Sequence, residues 1–97
     1  MSHTFDLGAV VATPGALALL SRTTIDPLSL VRRHARGDWG DLDEEDRRLN
    51  ESAVIDGSRI FSSYLIVTTG EKVWVITDAA DDFGIRRVTT LLRPEDY

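Results

Sequence analysis

Signals that start and stop helices are confined to the middle of this chain, between segments with strand patterns. Thr13-Pro14 and Asp26-Pro27 each join a residue that can cap free amide groups to a proline, which the first helical turn accepts. Gly37 and Gly57 can end the helices that follow, because glycine readily adopts the left-handed conformation beyond a helix end. The signals predict helices over 14–22, 27–36 and 42–55.

Apolar residues recur at helical spacing in each predicted helix and indicate the side that faces the core. The third helix also begins with Asp41-Leu42-Asp43-Glu44, which resembles a capping box with an aspartate in the first position. The expected core residues are Leu17 and Leu20 in the first helix, Leu28, Val31 and Ala35 in the second, and Leu42, Leu49 and Ala53 in the third.

Strand patterns flank this helical part on both sides. They predict strands over 5–12, 59–67, 72–77 and 85–92. The chain of 97 residues is long enough for one small domain, so 1–97 is expected to be a single α+β domain of order β-α-α-α-β-β-β. We expect an antiparallel sheet with helices on one face. Strand 59–67 is apolar on both faces, which favours a second cover over the sheet, and a homodimer is its simplest form.

Composition excludes several classes of protein. The chain has no cysteine, which excludes disulfides, thiolate zinc sites and a cysteine nucleophile. No segment is long and apolar enough to span a membrane, and the first residues lack the pattern of a secretory signal, so a cytoplasmic protein is expected. The net charge of −5 argues against a general nucleic-acid binder.

Charge is divided sharply along the predicted helices. Residues 22–36 carry four arginines against one aspartate, whereas 37–57 carry eight acidic residues against two arginines. This division favours a contact surface for a protein partner. The candidate partner-binding residues are Asp38, Trp39, Asp41, Asp43, Glu44 and Glu45. The alternative is structural, because acidic side chains in a first helical turn complement the helix dipole and Trp39 can simply pack between two helices.

Two weaker hypotheses concern the same helices. Arg32, Arg33 and Arg36 lie off the apolar stripe of the second helix and are candidates for contacts to nucleic-acid phosphates. The acidic run 41–46 lacks the alternating ligands, glycine and distal glutamate of a calcium loop, so no metal site is expected. No cofactor motif is present either.

A catalytic cluster is the remaining possibility that the residue spacing offers. Asp46 falls on the core side of the third helix, and Asn50 lies one turn further along that side. His34 near the end of the second helix and Arg59 at the start of a strand could join them. An aspartate that orients a histidine is a recognised general base. The alternative is a buried polar network in which Asp46 pairs with Arg59 or His34 and fixes how the helices dock.

Three segments together resemble a known family. They are Val11-Ala12-Thr13-Pro14-Gly15-Ala16-Leu17, then Gly37-Asp38-Trp39-Gly40-Asp41, and finally Lys72-Val73-Trp74-Val75-Ile76-Thr77 with Thr89-Thr90-Leu91-Leu92-Arg93-Pro94-Glu95-Asp96-Tyr97. The chain resembles small uncharacterised "plasmid-related" proteins of bacterial plasmids and integrative conjugative elements, which are often labelled type I restriction endonuclease subunit M. The resemblance implies an accessory gene on a mobile element in a bacterial cytoplasm, and it carries over no catalytic residue.

Three functions are therefore open from the sequence. The first is a non-enzymatic protein that binds a protein partner, in the specific form of an inhibitor of a host defence system, either restriction or CRISPR. The second is a small hydrolase or nuclease that uses His34 and Asp46. The third is a nucleic-acid-binding regulator that acts through the arginines of the second helix.

Overall fold

Three helices and a four-stranded mixed sheet form the α+β fold in the computed structural model, which describes residues 4–97. The α+β class predicted from the sequence is confirmed, and a 3-10 turn follows the last strand. The elements are β1 (Ala9–Ala12), α1 (Pro14–Arg22), α2 (Pro27–Ala35), α3 (Glu44–Asp56), β2 (Ile60–Ile66), β3 (Glu71–Thr77), β4 (Val88–Leu92) and the turn Pro94–Asp96.

Side-chain oxygens cap the N-termini of the three helices. Thr13 accepts from the amide of Ala16, and Asp26 accepts from that of Leu28, as the Thr-Pro and Asp-Pro signals predict. Asp43 caps α3 by accepting from Asp46 at 2.8 Å, so α3 begins two residues later than predicted. The capping box expected to begin at Asp41 is wrong, because the amide of Asp41 bonds to the carbonyl of Ser63 instead.

The sheet has the strand order β1-β4-β3-β2. The pairs β2–β3 and β3–β4 are antiparallel, whereas β1 pairs with β4 in parallel. The prediction of an antiparallel sheet is therefore wrong at this one pair. Three helices and two strands separate β1 from β4 along the chain, so the connection is long enough to bring the two strands side by side in the same direction.

Two predicted strands begin at least three residues later than their apolar patterns suggest. Gly8 has φ of +66°, which interrupts the extended chain before β1, and a side chain there would collide with the carbonyl of Arg87. Asp81 accepts bonds from the amides of Phe83 and Ile85, which holds the loop before β4. Strand β1 therefore begins at residue 9 rather than 5, and β4 at residue 88 rather than 85.

The core-facing sides of the helices match the predicted apolar stripes in part, because Leu20, Val31, Ala35 and Ala53 are buried as predicted but one leucine in each helix is exposed. Leu17, Leu28 and Leu49 are 47%, 53% and 62% exposed. The buried residues are Ala16, Leu19 and Leu20 in α1, Leu30, Val31, His34 and Ala35 in α2, and Asn50 and Ala53 in α3. In α2 and α3 a polar side chain, His34 or Asn50, also lies on the core side and bonds to the sheet.

Side chains from α1 and α2 form the main core with the sheet. Leu19, Leu20, Leu30 and Val31 cluster with Tyr64, Ile66, Val73, Val75 and Leu91. A second cluster joins Phe5 and Trp39 to Ala53 of α3 and Ile60 of β2. Along the sheet α1 contacts β4, α2 contacts β3 and α3 contacts β2, so the three helices follow the order of these three strands.

The chain's last residues lie against another part of the sheet. The aromatic ring of Tyr97 approaches that of Trp74 edge-on at 5.9 Å, and Trp74 approaches Phe61 in the same manner at 5.1 Å. Asp96 holds the turn in place by accepting from the Thr13 hydroxyl at 2.7 Å and from the Arg93 guanidinium at 2.7 Å. The turn therefore ties the chain end to the start of α1.

Candidate functional site

His34 lies at the centre of a buried chain of hydrogen bonds. Its side chain is fully buried on α2, with Nδ1 2.6 Å from the Ser62 hydroxyl and Nε2 2.9 Å from the Thr77 hydroxyl. The Thr77 and Thr89 hydroxyls are 2.7 Å apart, and Thr89 donates to the carbonyl of Leu7 at 2.7 Å. These hydrogen bonds thus connect β2, α2, β3, β4 and the segment before β1.

The carbonyl of Leu7 determines which atoms donate in this series of hydrogen bonds, because a carbonyl oxygen can only accept. A hydroxyl has one hydrogen to donate, and Thr89 uses it on Leu7, so Thr89 must accept from Thr77. Thr77 must then accept from Nε2 of His34, and because burial keeps the imidazole neutral, Nδ1 accepts from Ser62. We therefore assign His34 as the neutral tautomer with its proton on Nε2.

Burial has a large effect on the basicity of His34. Loss of contact with water, with a smaller contribution from the charge of Arg86, lowers the pKa of His34 from 6.5 to about 3. The rings of Phe5 and Trp39 approach the imidazole edge-on at 5.2 and 6.0 Å and close the space around it. An imidazole that is neutral near pH 7 and bonded at both nitrogens is a structural group.

Asn50 of α3 completes the backbone hydrogen bonds of β2. Its side-chain nitrogen donates to the carbonyl of Phe61 at 2.6 Å, and its side-chain oxygen accepts from the Phe61 amide at 3.1 Å. Two residues further along the same edge of β2, the amide of Ser63 donates to the carbonyl of Trp39, and the carbonyl of Ser63 accepts from the amide of Asp41. Asn50 thus acts in place of a neighbouring strand.

The four catalytic candidates are not brought together as one site. Both ring nitrogens of His34 bond to hydroxyls, so Asp46 does not orient the imidazole. Asn50 bonds to the backbone of β2, and Arg59 donates to the hydroxyl of Tyr97 at 2.6 Å. Asp46 is half-buried in the first turn of α3. A buried polar network exists, but its members are His34 and three hydroxyl side chains.

Three of the candidate partner-binding residues have structural contacts. Trp39 is 5% exposed, and its ring nitrogen donates to Glu51 at 3.1 Å. Arg33 donates to Asp38 at 2.7 Å, and this hydrogen bond holds the pKa of Asp38 below its ordinary value. Asp41 pairs with Lys72 at 3.1 Å. These contacts fix the corner between α2 and α3.

The remaining candidates on these two helices are more exposed. Asp43 is the helix cap, and Glu44 lies 3.5 Å from Arg48 in a highly exposed pair. Glu45 and Arg36 are exposed, and Arg32 lies 4.0 Å from Asp26. Arg33, the third candidate for phosphate contacts, is occupied by Asp38 and stacks over the ring of Tyr64 at 4.5 Å. The structure therefore does not place the three arginines as one free basic surface.

One buried arginine, Arg86, was not predicted from the sequence. Arg86 is 6% exposed and donates to the carbonyls of Ala53, Ser58 and Asp78 at 2.8–3.0 Å. It therefore joins the end of α3 to the loops before β2 and β4, with its charge at the negative end of the α3 dipole. Its position in an apparent strand pattern gave no signal of this role. It also lines a cleft of about 520 Å³ with Phe5, Asp6, Asp56, Asp81 and Asp82.

Comparisons with known proteins identified no relative of this chain. No protein-family model matches the chain, and neither the curated proteins nor the solved structures contain a match. Between residues 4 and 97, no helix is long and apolar enough to cross a membrane. Over the same residues, no three histidine or carboxylate side chains converge in a way that could hold a metal ion.

Proposed function

We propose that this protein is a non-enzymatic accessory protein of a bacterial mobile element that binds another protein in the cytoplasm through the outer face of α3. This face consists of Glu44, Glu45, Arg48, Leu49, Ser52, Ile55 and Asp56. The observation that carries the proposal is the exposure of Leu49 and Ile55, at 62% and 89%, among acidic side chains. Apolar anchors surrounded by charges are typical of protein interfaces.

The packing of α3 on the sheet supports a role in partner binding for the outer face of this helix. We infer that α3 lies on the same sheet face as α1 and α2, with Asn50 and Ala53 turned to the sheet. The two bonds from Asn50 to Phe61 hold the helix in this rotation. Leu49 and Ile55 then cannot turn inward without breaking these bonds, so they stay exposed to a partner.

Charge indicates which partner would fit. The outer face carries three acidic side chains and one basic one, and the whole chain has a net charge of −5. Opposite charges steer association and select partners, so a basic protein surface is the complement. Proteins that cut or bind DNA carry such surfaces. Together with the resemblance to plasmid-related proteins, this chemistry favours inhibition of a host restriction or CRISPR protein.

The interior of the protein supports binding rather than catalysis. His34 is the strongest catalytic candidate from the sequence, and it is enclosed and neutral with both nitrogens bonded. A general base must reach a substrate proton, which a fully buried imidazole cannot do.

Affinity capture tests the proposal directly. The tagged protein and a Glu45→Lys/Leu49→Ser variant are incubated with a bacterial lysate at low and moderate salt, and the eluates are analysed by mass spectrometry. We expect one stoichiometric basic protein with the unmodified chain and at least a tenfold loss with the variant, since both a charge and an apolar contact are removed. Both side chains are exposed, so the fold should be unchanged.

A matched variant controls for nonspecific adhesion. Leu28→Ser removes a leucine of similar exposure from α2, outside the outer face of α3, and should leave capture intact. Capture that is lost equally in both variants, or that survives Glu45→Lys/Leu49→Ser, would contradict the proposal. So would an eluate without any protein partner.

A further inference from the structure

A small apolar cleft lies on the face of the sheet opposite the main core. Val73 and Val75 of β3 belong to the main core. Side chains alternate between the two faces along a strand, so Trp74 and Ile76 lie on the other face. The cleft on that face has a volume of about 230 Å³ and is lined by Arg59, Phe61, Trp74, Ile76 and Tyr97. It shares no residue with the outer face of α3.

Three aromatic rings shape this cleft. The centroid of the Trp74 ring lies 5.1 Å from that of Phe61 at an interplanar angle of 90°, and 5.9 Å from that of Tyr97 at 70°. Rings that meet at such angles enclose a concave space rather than form a flat stack. Phe61 and Trp74 are half-buried and Tyr97 is 71% exposed, so part of the ring surface remains open to a ligand. An aromatic ligand gains from edge-to-face and offset contacts with such rings, in addition to the burial of its area.

Arg59 is the one charged residue among the described residues that line the cleft. Its Nη1 donates to the Tyr97 hydroxyl at 2.6 Å, and the centre of its guanidinium lies 5.8 Å from the centroid of the Tyr97 ring. None of the ion pairs within residues 4–97 includes Arg59. The exposed guanidinium is therefore held beside the apolar rings by a tyrosine rather than by a carboxylate. A guanidinium has further N–H groups that can bind an anion.

We propose that this cleft binds a small aromatic carboxylate, with the ring against Phe61 and Trp74 and the carboxylate on Arg59. The paired N–H groups of a guanidinium match the two oxygens of a carboxylate, which makes arginine well suited to bind this group. A cavity of roughly 150 Å³ holds one benzene molecule, so a cleft of about 230 Å³ has room for one ring and its carboxylate.

The residues next to the cleft favour a ligand with a single negative charge. A second cleft of about 190 Å³ is also lined by Arg59, Ile76 and Tyr97, and Asp78 contributes to its wall. Asp78 and the net charge of −5 disfavour a second negative charge, so a carboxylate fits better than a phosphate dianion. The small volume favours a free small molecule over a segment of another protein, which would need a much larger contact area.

Calorimetric titration and nuclear magnetic resonance with benzoate test the proposal, and benzamide is the uncharged ligand of the same size. At pH 7 we expect benzoate to bind with a dissociation constant of about 1 mM or below, and benzamide at least about tenfold more weakly because it lacks the charge. Benzoate should shift the indole N–H signal of Trp74, whereas the indole N–H of Trp39, which is buried and bonded to Glu51, should not move. Equal binding of the two ligands, no binding of benzoate at about 10 mM, or equal shifts at both tryptophans overturns the proposal.

A pair of arginine variants distinguishes this site from a general attraction of anions. Arg59→Gln should weaken benzoate binding about tenfold or more and leave benzamide binding unchanged. Arg36→Gln removes an exposed arginine at the end of α2, outside the cleft, and should change neither. Equal effects of the two variants, or no effect of Arg59→Gln, overturn the proposal. Phenyl phosphate that binds at least as tightly as benzoate would indicate a phosphate site, and Trp74 shifts caused by protein concentration alone would indicate a second copy in the cleft. Either result overturns the proposal as well.

Discussion

Protonation of His34 should make the stability of this protein depend strongly on pH above the range in which carboxylates titrate. The folded state holds the pKa of His34 at about 3, whereas the unfolded chain has the ordinary value of 6.5. As the pH falls below 6.5, the unfolded chain binds a proton that the folded protein does not. The free energy of unfolding should therefore fall by about 2.5 kcal/mol between pH 7 and pH 4.5.

Urea unfolding followed by circular dichroism at several pH values between 7 and 4.5 measures this loss. The range ends at 4.5 because Asp38 and Asp96, whose pKa values lie below the ordinary value, begin to contribute at lower pH. A His34→Gln variant should be less stable at pH 7 because the network is altered, but its stability should vary little over this range. His3 is present in both proteins, so a common contribution from it is removed by the comparison.

Two results would refute the reasoning about His34. One is an equal pH dependence in the protein and its His34→Gln variant. The other is an imidazole of His34 in the folded protein that titrates near 6.5 in nuclear magnetic resonance spectra. The same spectra check the tautomer, since the ¹⁵N shifts of the two ring nitrogens should identify Nε2 as the protonated one.

Two further predictions concern the protected edge of β2. Asn50→Leu should lower the free energy of unfolding by about 2–4 kcal/mol in urea, because the N–H and C=O groups of Phe61 lose their partner at a largely buried position. An effect below about 0.5 kcal/mol would show that water replaces Asn50 there. Gly40→Ala should lower the free energy of unfolding by about 1–3 kcal/mol or more, because φ of Gly40 is +78° and a side chain there would collide with the carbonyl of Ser63. Thermal melts compare this variant with the control Gly70→Ala, in which φ is +74° but the space around the added side chain is open. An equal loss of stability in both variants would show that the Gly40→Ala effect does not come from the collision with Ser63.

Local signals allowed the helices to be predicted well, and the sheet less well. Thr13 and Asp26 cap their helices as expected, because capping depends on residues that are close in sequence. The pairing of β1 with β4 is set by the path of the whole chain, which no local pattern contains. The predicted core side of α3 was wrong at Leu49, because Asn50 faces the sheet and bonds to the β2 backbone, which leaves Leu49 on the outer side.

The candidate site was predicted only in part, because His34 and Asn50 are buried and bonded to the sheet whereas Asp46 and Arg59 are not. Asn50 is buried on the core-facing side of α3, as its spacing predicts, and His34 is buried on α2. Their partners are the hydroxyls of Ser62 and Thr77 and the backbone of Phe61, which lie far away in sequence. Serine and threonine are common in strands, so their sequence gives no indication that they bond to a histidine. Only the register of the sheet determines these contacts.

The protected edge of β2 limits how far identical chains can polymerise. A sheet with two bare edges can add copies at both ends and grow into a filament without limit. The contacts of Asn50 and of segment 39–41 with β2 remove one of these growing ends. Strand addition at this end of the sheet is therefore blocked, and a protein that lost Asn50 would also lose this safeguard against fibrils.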